Sequence, residues 1–340
     1  MRAFAKISLA LIALVATPAL SQVQLQQAAQ GTDTGPEPMP VHAWIGLTNS
    51  VGSGTFVTDG FFNPTVQTQL SLTPMIMWKG WQILVNQSIG FEWTDADGNT
   101  NPHQLELSDT SIGVRNLALL RFSDAKFSLW PSVGYAVPIS LASRQNGSLG
   151  TFTGALRANW AGLSDYGLTV FGGVNGGYTL LNGANSGSQG QEVRPIGDIT
   201  PVTCNTRNGG EIANYACLDG NLPSVSRWGA TLGAWWFYLL DGNLGFSANF
   251  GYTQSFSVAT GKDDEFTPDA AFTGLVPRQN MSSDLSMTYM PVGWLWLSLG
   301  ASTSQPFLAA DGKRPRFPIW DFESASNNFS SFYFDATFVL

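Results

Sequence analysis

The stretch Ser330–Leu340 reads SSFYFDATFVL. Every second residue, Phe332, Phe334, Ala336, Phe338 and Leu340, is apolar; between them stand Ser331, Tyr333, Asp335, Thr337 and Val339. A period of two predicts a β-strand with one apolar and one mixed face. Chain ends are ordinarily frayed and polar, so an end this apolar predicts a strand tied into a larger structure.

The same alternation recurs upstream. In WQILVNQSIGFEW (81–93), Trp81, Ile83, Val85, Ile89, Phe91 and Trp93 share a face opposite Gln82, Asn86, Ser88 and Glu92. YGLTVFGGVNGGYTL (166–180) and LGFSANFGY (244–252) repeat the pattern. Twelve strands are predicted, at about 41–50, 64–77, 81–93, 104–122, 127–141, 151–162, 166–180, 226–240, 244–258, 282–290, 294–304 and 329–340. Every second connection is very short: WKG near Lys79, SDAK at 123–126, LSD at 163–165, DGN at 241–243 and PVG at 291–293. Those between are long: 51–63, 94–103, 142–150, 182–225, 259–281 and 305–328. Sorting of this kind predicts an all-β fold, a transmembrane antiparallel up-and-down β-barrel over 41–340 with turns on one side of a membrane and loops on the other. A soluble sandwich has no reason to sort its loops.

The start of the chain agrees. Arg2 and Lys6 precede the apolar run Ile7–Val15, and small residues stand at Ala19 and Ser21, which predicts a cleaved signal peptide over 1–21. The apolar run is shorter than the ~20 residues a spanning helix needs. Residues 22–40, rich in Gln, Gly and Pro, are predicted to be a flexible periplasmic lead-in. Loss of Arg2 and Lys6 takes the net charge from −8 to −10, which disfavours a nucleic-acid partner. Only 12% of residues are charged, while 37 are Gly and 12 are Trp. Soluble domains carry about twice that charged fraction. Without an apolar helix of spanning length, such a composition fits a membrane-embedded barrel.

The final stretch resembles the C-terminal signal of bacterial outer-membrane proteins, with Phe332, Phe334 and Phe338 on pattern and Leu340 where an aromatic is usual. The resemblance implies the outer membrane of a Gram-negative bacterium. It also implies contact with outer-membrane lipid and lipopolysaccharide, and delivery by the barrel assembly machinery. Within LSDTSIGVRNLAL (107–119) and FSLWPSVGYAVPIS (127–140), Asp109, Gly113, Arg115 and Pro138 resemble hairpins of barrels that transport aromatic or other hydrophobic compounds. Asn116 stands where those have Tyr, and Ile139–Ser140 replaces Thr-Gly.

Twelve strands tilted near 40° give a backbone radius of roughly 12 Å, enough for a narrow channel or a filled interior. Lumen-lining charges are predicted at Glu92, Asp109, Asp284 and Asp335, and at Arg115, Arg121, Arg157 and Arg227. Four acids against four bases make a nearly neutral polar wall. Trp130, Phe171, Trp235, Phe237, Trp294 and Trp296 are candidates for inward aromatics on which an apolar solute would slide; the competing reading makes them packing or interface residues.

Cys204 and Cys217 fall in one long loop of an exported chain and are predicted to form a disulfide, worth about 3 kcal/mol by chain entropy. Asp263, Asp264, Glu265 and Asp269 match no known calcium spacing and read as a solvated loop. No metal or cofactor is called for. Only His42 and His103 are available for a rim hydrolase, and neither stands beside a serine, so an enzyme is not expected. Two functions remain open. One is a channel for small solutes, hydrophobic or aromatic ones included; the other is a sealed barrel whose disulfide-bearing outer loop binds a partner.

Overall fold

The computed structural model describes residues 41–57, 63–94, 103, 105–117, 119–122, 126–140, 143–144, 147–182, 204–205, 211–212, 224–257, 277–309, 312–323 and 325–340. The predicted signal peptide, the predicted lead-in and the acidic 263–269 segment lie outside the described residues.

Twelve antiparallel strands form the wall: β1 (Val41–Gly52), β2 (Val66–Trp78), β3 (Trp81–Glu92), β4 (Thr110–Asn116), β5 (Phe127–Val137), β6 (Ser148–Leu163), β7 (Leu168–Leu181), β8 (Ser224–Leu239), β9 (Leu244–Ser257), β10 (Pro277–Val292), β11 (Leu295–Pro306) and β12 (Ser330–Val339). Short pieces at Leu105–Leu107 and Leu120–Phe122 prolong β4 along β3 and β5, so the fourth strand is broken where a continuous 104–122 was predicted. β10 begins five residues earlier than the 282 read from sequence, because Pro277–Met281 pairs with β9.

Closure explains the apolar end of the chain. β12 pairs with β1 from Trp44 opposite Val339 to Gly52 opposite Ser331, and with β11 on its other side. The pairing continues to Leu340, whose N–H donates to the Ala43 carbonyl at 2.8 Å while Ala43 N–H donates to the Leu340 carbonyl at 3.0 Å. An unpaired edge in lipid would leave a row of backbone groups without partners, and closure removes it.

The five short turns lie at one rim, shared with Val41 and Leu340. Between β2 and β3 the turn is only Lys79 and Gly80, with φ of 48° and 82°. Positive φ at both positions is the pattern of a type I′ hairpin turn, and Gly80 adopts it without strain.

Outward residues form a layered belt. Aliphatic side chains such as Leu72, Val133, Leu156, Val174, Leu232 and Leu299 are exposed around the middle. Exposed aromatics flank them, with Trp81, Trp160 and Trp236 toward the turns and Trp93, Phe152, Tyr178 and Trp228 toward the loops. From Trp228 to Trp236 a tilted strand climbs about 20 Å, close to the apolar height of a bilayer-spanning barrel. Indole N–H groups keep polar partners at the edges: Trp236 donates to the Tyr166 carbonyl at 2.9 Å and Trp93 to Thr68 Oγ1 at 2.8 Å. No helix among the described residues is long and apolar enough to cross a membrane; the strands supply the crossing.

The last long connection folds back over the outside of the wall. Register places Ser283, Thr303, Gln305 and Ser330 on the same face as lipid-side Met287, Leu299 and Phe334, yet all four are buried. Residues 315–321 cover them. Ser283 and Thr303 hydroxyls donate to the Ile319 carbonyl at 3.2 and 2.7 Å, Gln305 donates to the Phe317 carbonyl at 2.6 Å, and the Trp320 ring lies 4.7 Å from Phe332. A buried Arg316–Asp321 pair at 3.1 Å fastens this strap.

Candidate functional site: the barrel lumen

Register fixes which side chains face the lumen. Asp335 stands opposite Thr48 and Ser298, Asp284 opposite Asn249 and Ser302, and Arg227 opposite Gly177 and Ser255, all on the face away from the aliphatic belt. Arg115 stands opposite Gln82 and Ser132, Arg157 opposite Trp130 and Gly173, and Glu92 opposite Gln67, again inward. Asp109 and Arg121 occupy inward backbone positions at the loop and turn ends of the fourth strand.

The charges are sorted around the circumference. Arg115, Arg157 and Arg227 stand on β4, β6 and β8, whereas Asp284 and Asp335 stand on β10 and β12; the exceptions, Glu92 on β3 and Arg278 on β10, lie at the loop ends of their strands. The acids of that second arc are held by hydroxyl donors: Tyr333 to Asp284 at 2.8 Å, and Thr48 and Thr337 to Asp335 at 2.6 and 2.7 Å. Glu92 accepts from Thr94 at 3.1 Å near the loop end. Asp109 does structural work there, accepting from the Ser140 N–H at 2.8 Å and from the Ser143 hydroxyl, which ties the start of the fourth strand to the end of β5. Below the loop end the net effect is a field across the lumen rather than a ring of one sign.

The arginine arc is built differently. Arg115 Nε donates to Gln82, and the Arg157 guanidinium lies 3.9 Å from the centre of the Phe171 ring and 6.0 Å from that of Trp235. Neither arginine forms an ion pair with a described residue. Arg227 lies across Gly177, whose missing side chain leaves the space. The polar wall therefore presents cations on one side, Arg157 over a ring and Arg115 held by an amide, neither paired with a described acid.

Two apolar clusters line the turn end of the lumen. Trp44, Met75 and Trp296 pack together with Leu84, Met290 and Val339 against them. On the opposite side, Trp130, Phe171 and Trp235 pack with Leu117 and Phe237. Each buried member lies within four residues of the short-turn end of its strand. Five of the six inward aromatics named from the sequence are in or against these clusters. Trp294 is not: it sits in the β10–β11 turn, is 53% exposed, and stacks on lipid-side Phe338 with centroids 6.2 Å apart. The turn removes it from the strand alternation on which the inward assignment depended.

Sequence reasoning missed Arg278 and Trp44. Arg278 faces the lumen opposite Ser255, but a tenth strand read from residue 282 excludes it. Trp44 was hidden in the weakly alternating VHAWIGLTNS, where only its register with Thr73 and Val339 shows its face.

Phe332, Phe334, Phe338 and Leu340 all point outward and are 37–62% exposed. Cys217 lies outside the described residues, as does the side chain of Cys204, whose backbone joins a two-residue ribbon with Glu211–Ile212. His42 and His103 stand at opposite rims, and among the described residues no cluster of ligands fits a metal.

No protein-family model matches the chain, and no curated protein does. Among solved structures it is similar to an outer-membrane channel from Pseudomonas putida F1, at 10% identity and a TM-score of 0.49 over 91% of this chain and 100% of that one. It is also similar to the NanC porin (8%, 0.41, 87% and 98%) and to the Pseudomonas putida toluene transporter TodX (10%, 0.35, 89% and 88%). At such identities the functional reading rests on the lumen itself.

Proposed function

We propose that the chain is an outer-membrane channel that passes small solutes, including those with apolar or aromatic bodies. The observation that carries this reading is the pair of buried aromatic clusters, Trp44–Met75–Trp296 and Trp130–Phe171–Trp235, facing an otherwise polar lumen. Rings at a constriction offer an apolar body a surface in place of water, and the polar stretch above keeps the approach hydrated. A closed barrel with an aliphatic belt and two aromatic girdles fits the bacterial outer membrane, and the predicted signal peptide supports export to it. Outer-leaflet lipid and the barrel assembly machinery are the partners this location brings.

Planar-bilayer recording of the refolded protein tests the reading. Discrete conductance steps, reduced by a neutral aromatic such as benzyl alcohol, are expected. Silence from protein shown to be folded would favour a sealed barrel whose working part is the long 182–223 connection with its cysteines.

A further inference from the structure

The turn-end arc of β4–β8 combines features that a purely apolar slide does not need. Arg157 lies over the Phe171 ring, and its Nε and one terminal nitrogen have no hydrogen-bond partner among the described residues; one terminal nitrogen of Arg115 is in the same state. Asn159, one rung toward the turns, is 94% buried, and neither its amide nitrogen nor its oxygen has a partner among the described residues. Register puts Asn159 opposite Ser128 on one side and Phe171 on the other, on the same lumen face of β6 as Arg157 two residues away. Buried polar groups are almost always satisfied, and charged ones all the more so. The Trp130 indole is already engaged, donating to the Ser128 hydroxyl at 3.0 Å.

We infer that Arg157, Arg115 and Asn159, set among the rings of Trp130, Phe171 and Trp235, form a binding site for a small organic anion with an aromatic or apolar body, of the aromatic carboxylate class. The inference rests on the channel reading above and narrows its solute. A carboxylate takes parallel hydrogen bonds from a guanidinium fork and one from the Asn159 N–H, while its ring continues the stack that Phe171 and Trp235 begin. Asp284 and Asp335 stand away on β10 and β12 with their own hydroxyl donors, while Glu92 and Asp109 lie at the loop end, engaged by Thr94 and by Ser140 and Ser143. Gly233 lets this happen: a side chain there would collide with the Phe171 ring, displacing the platform on which Arg157 lies.

Calorimetric titration of the refolded full chain in detergent tests the site without requiring conduction. Benzoate is the probe, with benzamide as the uncharged analogue and acetate as the anion without a ring. Benzoate is expected to bind at least tenfold more tightly than either. Arg157→Gln, and independently Asn159→Asp, should each weaken benzoate at least tenfold while heat-modifiable gel migration shows the barrel folded. Equal affinity for benzoate and benzamide, or benzoate binding unchanged in a folded variant, would overturn the inference. Conductance without benzoate binding would remove the site and leave the channel. Benzoate binding without conductance would leave the site and remove the channel.

Discussion

The Tyr333 hydroxyl donates to Asp284 at 2.8 Å, reaching from β12 across β11 to β10. The ring crosses β11 at Gly300, its register partner, where any side chain would collide with it. Tyr333→Phe keeps the ring and removes a donor from a buried carboxylate, so a loss of about 1–3 kcal/mol is expected. Gly300→Val evicts the ring, with a cost of similar size from overpacking. Urea unfolding of both variants in lipid vesicles measures the losses, and unchanged midpoints would remove this contact from the account of closure.

Cost on the lipid face should depend on depth. Phe334 sits mid-strand on the outer face, while Phe338 lies at the turn rim against Trp294. Phe334→Arg is expected to cost about 2–4 kcal/mol and Phe338→Arg at most about 1 kcal/mol. Equal costs in vesicle unfolding would contradict the placement of the belt.

The Trp296 side chain is 5% exposed in the cluster that lines the turn end. Trp296→Ala should at least double single-channel conductance, at a stability cost of about 3–5 kcal/mol. Conductance unchanged in folded protein would place the narrowest point elsewhere.

The strap over β10–β12 should depend on its buried ion pair. Asp321→Ala leaves Arg316, 7% exposed at its side chain, without that carboxylate, a change that typically costs about 3–5 kcal/mol. Trypsin should then cut after Lys313 or Arg316 in protein whose barrel stays resistant. Equal resistance of the wild type and the variant would show that the strap is held by its backbone bonds alone.

Cys204 and Cys217 are expected to take up maleimide only after reduction, adding two labels by mass. Labelling of unreduced, folded protein would exclude the bridge.

The sequence by itself determined the barrel. Period-two alternation in SSFYFDATFVL and eleven other segments, with connections sorted short and long, leaves few folds open, because side-chain direction in a strand is a local property. For the same reason the lumen face of Arg157 or Asp335 could be read strand by strand. Only the tertiary structure decided what meets what. Arg157 on Phe171 joins strands β6 and β7, Tyr333 on Gly300 depends on cross-strand register, and the charge sorting needs the order around the ring. Trp294 left the alternation at a turn, Arg278 entered it beyond a predicted boundary, and the strap buried Thr303 and Gln305 on a face that alternation assigns to lipid. Alternation reports the direction of a side chain from its own backbone, whereas burial and partners are set by chain that arrives from elsewhere.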